Sequence, residues 1–190
     1  CRSFANVGDL RLENDSILPA ITLAYETWGE LNEDRSNAIL IEHALTGDAH
    51  VIGEAEPGQP TAGWWSQVVG PDLAIDTNRY FVVAINVLGG CQGSTGPASI
   101  AQDGAPYGSR FPVISTRDQV RAEARLADLL GIERWNTVVG ASLGGHRAIE
   151  WATMYPGRVE RLVMVASGAQ TTAEQAAWAH TQIRAVQLDP

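Results

Sequence analysis

Ser142 is the residue whose type and surroundings most directly suggest chemistry. Residues 139–145 read Val-Gly-Ala-Ser-Leu-Gly-Gly, so Ser142 is the centre of a Gly-x-Ser-x-Gly pattern. An apolar run at residues 137–139 precedes it, and a helical pattern that includes Trp151 follows. A serine on a sharp strand-to-helix turn exposes its hydroxyl for attack on a carbonyl carbon. We therefore interpret Ser142 as the nucleophile of an acyl-transfer enzyme, and expect Gly140 and Gly144 to avoid collisions with nearby backbone.

Attack on a carbonyl also requires N–H groups that stabilise the developing oxyanion. The backbone N–H of Leu143, the residue after the nucleophile, is the first candidate. The second donor usually comes from a loop after an earlier strand, and the apolar run at residues 38–41 leads into such a loop. We assign this donor to the N–H of Leu45, with Ala44 as the alternative. His43 could be a general base. We interpret it instead as a residue that holds this loop by hydrogen bonds, because in folds with a serine on a strand-to-helix turn the base follows the nucleophile along the chain.

A base for Ser142 and an acid for that base are not evident in the sequence. His146 lies within the first turn of the predicted nucleophile helix, and His180 lies in the middle of a later helical pattern. Asp189 has no histidine after it. We therefore expect the chain to be the first part of a longer enzyme, with the acid and the base beyond Pro190.

The remaining pattern predicts an α/β fold with a mostly parallel central sheet flanked by helices, truncated before its last strands and lid. Short apolar runs predict strands at residues 21–25, 38–41, 80–85, 137–139 and 162–165. The first run alternates, whereas the other four are nearly continuous, which is typical of strands covered on both faces. A capping box of Thr116 and Gln119 predicts a helix that ends at Gly131. Further helices are expected over residues 143–155 and, from Thr171, to about residue 186. Loops are expected at residues 47–65 and 89–112.

Composition excludes several classes of function. Thirteen basic residues against twenty-two acidic ones give a formal net charge of −9, which argues against nucleic-acid or anionic-membrane partners. No apolar run approaches membrane-spanning length. The two cysteines, Cys1 and Cys91, cannot form a disulfide framework, so a reducing, cytoplasmic location is expected. We interpret Cys91 as structural, and predict no metal because Asp48 and His50 lack a third ligand at a recognisable spacing.

Several further segments occur in a fixed order along the chain. They read YETWG, HALTGDAH, GWW, DTNRYFVV, NVLGGCQGSTGP, YGSRFP and AIEWA at residues 25–29, 43–50, 63–65, 76–83, 86–97, 107–112 and 148–152. Together with the serine motif, this series resembles the homoserine O-acetyltransferases, which are acyl-CoA-dependent enzymes of the α/β-hydrolase fold in methionine biosynthesis. One difference is Leu143, where that family commonly has Met; a backbone donor should tolerate the change.

The resemblance implies transfer of an acetyl group from acetyl-CoA to L-homoserine through an acetyl-Ser142 intermediate, with acetyl-CoA as a co-substrate and no tightly bound cofactor. It implies that residues 1–168 are the N-terminal part of the hydrolase core and residues 169–190 the start of a helical lid. It also implies a homodimer. The sheet edge that truncation would expose predicts association with the missing C-terminal part or with another copy. The alternatives are succinyl transfer, serine as the acceptor, a serine esterase of the same fold, and a non-catalytic fragment.

Overall fold

A computed structural model describes residues 1–55 and 57–189 of the chain. Its eight strands are β1 (Ser3–Arg11), β2 (Ile17–Trp28), β3 (Ala38–Glu42), β4 (Val69–Gly70), β5 (Ile75–Asp76), β6 (Phe81–Ile85), β7 (Thr137–Ala141) and β8 (Leu162–Val165). Its three α-helices are α1 (Thr116–Leu129), α2 (Leu143–Met154) and α3 (Ala173–Gln187). Single turns of 3-10 helix occur at Gly108–Arg110 and Pro156–Arg158.

The main sheet has six strands in the order β1-β2-β6-β3-β7-β8. Neighbours among β6, β3, β7 and β8 pair in parallel, whereas β1–β2 and β2–β6 pair antiparallel. All five residues of β3 are buried, as expected for a parallel strand covered on both faces. The predicted mostly parallel sheet is confirmed, and it places the carboxyl ends of β3, β6 and β7 at one edge, beside the loops that follow them.

The two faces of this sheet are covered differently. The first face packs against α1 and α2 around buried residues such as Leu40, Val138 and Leu126, with the indoles of Trp135 and Trp151 in edge contact at 6.0 Å between ring centroids. The second face is covered by loop residues before β4 and by the β4–β5 pair, through contacts that include Val51 and Val69. The helices therefore cover one face of the sheet, and the predicted long loop covers part of the other.

Helix starts differ from the predicted ones by one residue. The capping box of α1 is formed by Ser115 and Asp118, not by Thr116 and Gln119, because Ser115 keeps extended backbone angles while Thr116 is already helical. Likewise α3 is capped by Thr172 with Gln175, one residue after the expected start at Thr171. Each helix start has two adjacent Ser or Thr residues, and each of these is followed three positions later by a polar side chain. The backbone geometry determines which of the two pairs forms the capping box.

Strand β8 and helix α3 are less covered than the sequence suggests. Leu162, Val163 and Val165 are 36%, 44% and 44% exposed, although continuous apolar strands were expected to be covered on both faces. The physical reason is that, among the described residues, β8 is an edge strand paired only with β7, so no second neighbouring strand contributes side chains that would shield its own. No residue of α3 is buried. Among residues 1–55 and 57–189, no helix combines the length and apolarity that crossing a membrane requires.

Candidate active site

Ser142 occupies the turn between β7 and α2, at φ 53° and ψ −117°. This left-handed φ is costly for a residue with a side chain, and such strain persists only when its surroundings hold it. The Ser142 N–H donates to the Val165 carbonyl oxygen at 3.0 Å. The Ser142 carbonyl oxygen accepts from the Gly145 N–H at 3.0 Å and from the Ser167 hydroxyl at 2.8 Å. The serine is exposed, as a nucleophile elbow requires.

Three glycines allow close contacts around this turn. A Cβ atom on Gly140 would overlap the carbonyl oxygen of Gly144, and one on Gly144 would overlap the carbonyl oxygen of Glu42. A Cβ atom on Gly145 would overlap the Ser167 hydroxyl. The expected close approach at Gly140 and Gly144 is confirmed, and it extends to Gly145.

The N–H groups of Leu143 and Leu45 are both available as donors. Neither one donates a hydrogen bond to another residue within the described part of the chain. Leu143 begins α2, where the first N–H groups have no partner within the helix. Leu45 lies in a tight loop closed by the Gly47 N–H, which donates to the Ala44 carbonyl oxygen at 2.9 Å. Both leucines line one cavity of about 480 Å³, which suits the expected oxyanion-hole role while leaving the alternative donor Ala44 open.

His43 is buried and both of its ring nitrogens are engaged. Its Nε2 accepts from the Val87 N–H at 3.1 Å, so its Nδ1 carries the hydrogen that it donates to the Ala44 carbonyl oxygen at 2.7 Å. Burial, and secondarily the positive charge of Arg147, lower the pKa of His43 to about 3. A neutral imidazole with no free nitrogen braces the loop and is not placed to take a proton, so the bracing interpretation is confirmed.

A buried ionic network, which the sequence did not reveal, lies beneath the same loop. Arg147 on α2 places Nη1 2.7 Å from Oε2 of Glu42 and 2.8 Å from Oε1 of Glu123. Its Nη2 donates to the His43 carbonyl oxygen at 3.0 Å. Burial is the main cause that raises the pKa of Glu42 well above its ordinary value. The signal in the sequence was a lone charge, Glu42, at the end of an otherwise apolar strand.

The two histidines after Ser142 lie on the helices α2 and α3. His146 is exposed on α2 and His180 is exposed on α3, and within the described residues no hydrogen bond joins either one to the Ser142 hydroxyl. The assignment of the acid and the base to residues beyond Pro190 therefore stays a prediction. Cys91 is an exposed free thiol at the cavity.

The Asp48–His50 pair has a structural arrangement. The Asp48 carboxylate accepts from the His50 N–H at 2.8 Å. The buried His50 ring lies with Nδ1 3.1 Å from Oε2 of Glu26 on β2 and Nε2 3.2 Å from the Glu54 carbonyl oxygen. These contacts tie the long loop to the sheet. No group of three or more His, Cys, Asp or Glu side chains suited to a metal ion occurs in the described residues.

Comparison with known proteins places this arrangement in a family. Residues 37–190 match the family model described as alpha/beta hydrolase fold. The chain belongs to the α/β-hydrolase fold family, as its sheet order and serine turn indicate.

Individual relatives carry names that are more specific than the family. The homoserine O-acetyltransferase of Thermobifida fusca (strain YX) is 60% identical over 181 residues, which cover 95% of this chain and 48% of that protein. The X-ray crystal structure of a homoserine O-acetyltransferase from Bacillus anthracis superposes with a TM-score of 0.92 at 35% identity, covering 100% of this chain and 53% of the other. An acetylester hydrolase from Corynebacterium glutamicum superposes with a TM-score of 0.85 at 34% identity, covering 100% and 51%. The predicted resemblance is confirmed, and the chain spans about half the length of the curated relatives it matches.

Proposed function

We propose that the protein carrying this chain transfers an acetyl group from acetyl-CoA to the hydroxyl of L-homoserine. The observation that carries the proposal is the 60% identity to a protein named as a homoserine O-acetyltransferase. The geometry supports acyl chemistry independently: Ser142 is exposed on a strained turn, Leu143 after it lines one cavity together with Leu45, and neither leucine N–H donates a hydrogen bond within the described residues. The same relatives make methionine biosynthesis the expected role.

The reaction has two steps. In the first, the Ser142 hydroxyl loses its proton to a base while its oxygen attacks the thioester carbonyl carbon of acetyl-CoA. The N–H groups of Leu143 and Leu45 stabilise the oxyanion, and the CoA thiol leaves with a proton. In the second, the homoserine hydroxyl attacks acetyl-Ser142, which releases O-acetylhomoserine and restores the serine. The base and the acid that orients it are expected beyond Pro190.

A serine esterase is the second candidate, favoured by the similarity to the acetylester hydrolase of Corynebacterium glutamicum. The two functions share the acyl-enzyme and differ in whether water or an amino-acid hydroxyl attacks it. Succinyl transfer and a serine acceptor also remain alternatives, because the described residues include no group that would select between them. We further propose small-molecule partners only, no tightly bound cofactor, a cytoplasmic location, and either a homodimer or association with the missing C-terminal part.

A free-thiol assay on the full-length protein that carries this sequence tests the proposal. Thiol release from acetyl-CoA should depend on L-homoserine, and Ser142→Ala should abolish it while the far-UV circular dichroism stays unchanged. Release at full rate without any acceptor would favour hydrolysis over transfer. Succinyl-CoA and L-serine are the matched alternative substrates, and faster turnover with either one would change the assignment.

A further inference from the structure

Arg147 contacts both segments that carry the proposed oxyanion donors. It lies on α2 four residues after Leu143, about one helical turn along. Its Nη2 donates to the carbonyl oxygen of His43, two residues before Leu45. The guanidinium therefore connects the helix that begins at one donor to the loop that holds the other.

The chemistry of the guanidinium suits this connection. Arg147 is 0% exposed and shares its Nη1 between Glu42 and Glu123 while its Nη2 reaches the loop. A planar fork with several N–H groups can make these contacts at once, whereas a lysine ammonium offers one compact charge on a flexible stem. The Nε1 of Trp151 donates to the second oxygen of Glu123 at 2.9 Å, which fixes that carboxylate in turn.

The charges of the network indicate what loss of the guanidinium would do to the two carboxylates. One guanidinium faces two carboxylates, all of them fully buried. Burial is the main cause that raises the pKa of Glu42, and the positive charge of Arg147 opposes this rise. Loss of Arg147 alone would leave a buried carboxylate without a partner, which is strongly unfavourable.

We infer that Arg147 is a positioning residue of the oxyanion hole, holding the N–H groups of Leu45 and Leu143 at the spacing that the tetrahedral intermediate requires. The inference rests on the proposed function, since it assigns a role within that site. A residue that acts in this way affects the transition state more than substrate binding. Displacement of catalytic groups by about 1 Å can cost on the order of 100-fold in rate.

Arg147→Lys tests the inference in the full-length protein, with p-nitrophenyl acetate as a substrate that reports acylation of Ser142 whatever the natural acceptor. We expect kcat to fall by about 10- to 100-fold, with KM changed by less than about threefold. The inhibition constant of a methylboronic acid, a tetrahedral analogue that contacts the oxyanion donors, should rise by a similar factor.

Two further variants separate positioning from stability. Leu126→Ala removes buried side-chain volume from α1 outside the network, so it should lower stability and leave kcat and the boronic-acid constant unchanged. The triple variant Arg147→Met with Glu42→Gln and Glu123→Gln removes the guanidinium and both carboxylates, leaves no unpaired carboxylate, and carries the test should Arg147→Lys not fold. Its kcat should still fall, because the His43 carbonyl oxygen loses its donor.

The outcomes distinguish the inference from the proposed function. A folded Arg147 variant with wild-type kcat and boronic-acid affinity would overturn the positioning role. A loss of kcat in Leu126→Ala equal to that in Arg147→Lys would do the same, since it would reduce the effect to stability. Acylation that survives Ser142→Ala would instead overturn the proposed function, and transfer to water in place of homoserine would change the acceptor while the Arg147 result stands.

Discussion

At the scale of single residues, Ser142 combines a strained backbone with backbone groups that are hydrogen-bonded to neighbouring residues. The serine turn is stabilised through its own N–H and carbonyl groups, which leaves the hydroxyl outside the hydrogen bonds that hold the backbone. His43, in the loop that carries Leu45, has both ring nitrogens engaged in hydrogen bonds. The site therefore separates the residue expected to react from the residues that hold it in place.

The low pKa of His43 has a consequence for acid stability. The folded ring stays neutral down to a pH of about 3, whereas the unfolded ring binds a proton below its ordinary value of 6.5. As pH falls through this window, the unfolded state binds more protons and the free energy of unfolding decreases, by up to about 1.4 kcal/mol per pH unit. Urea unfolding of the wild type and of His43→Gln between pH 7 and pH 4 measures the contribution.

Glutamine can supply an acceptor to the Val87 N–H without titrating, so His43→Gln is the matched control. Its stability should fall less steeply with decreasing pH than that of the wild type. Parallel pH profiles for the two proteins would contradict a low pKa for His43.

At the scale of elements, the contact between the start of α2 and the end of β3 fixes the site. Gly144→Ala would force a methyl group against the carbonyl oxygen of Glu42, and backbone cannot yield as a flexible side chain does. We expect a loss of about 1–3 kcal/mol in the free energy of unfolding, together with a large loss of acyl-transfer rate. Thermal or urea unfolding and the free-thiol assay check these effects.

Gly157→Ala is the matched control for this substitution. Gly157 lies in the turn after α2, its φ is not left-handed, and a Cβ atom there would meet nothing within 4 Å. Stability should change by less than about 0.5 kcal/mol. Equal losses in the free energy of unfolding of the two variants would show that the close contact at Gly144 does not determine stability.

The elements differ in how far the sequence predicted them. The central strands and α2 were predictable because their apolar runs and the proline after Tyr155 are local signals. β1 was missed because register shifts around Gly8 break the alternation of buried residues such as Val7 and Leu10. Ser142 and its glycines form a contiguous motif and were found, whereas the partners of Arg147 lie 24 and 104 residues away and only the fold brings them together.

At the scale of the whole molecule, coverage decreases from the centre of the sheet towards β8. β3 and β6 each have a strand on both sides, whereas among the described strands β8 has only β7 as a neighbour, and α3 buries no residue. In the 190-residue chain, the backbone amides of β8 and α3 should exchange with deuterium faster than those of β3 and β6.

Hydrogen exchange followed by mass spectrometry measures this difference. The comparison of β8 with β3 is internal to one sample, so it needs no separate reference protein. Protection of β8 equal to that of β3 would contradict the prediction and reveal that another surface covers this edge in solution.

The hydrogen bonds of Ser142 also limit how the motif can be transplanted. Its N–H is held by Val165 at the end of β8, and its carbonyl oxygen is held in part by Ser167 just beyond. A designer who grafts only residues 139–145 onto another strand and helix would carry over the glycines but leave these two anchors behind. The scaffold that receives such a graft must therefore provide a parallel neighbouring strand with a hydroxyl two residues past its end.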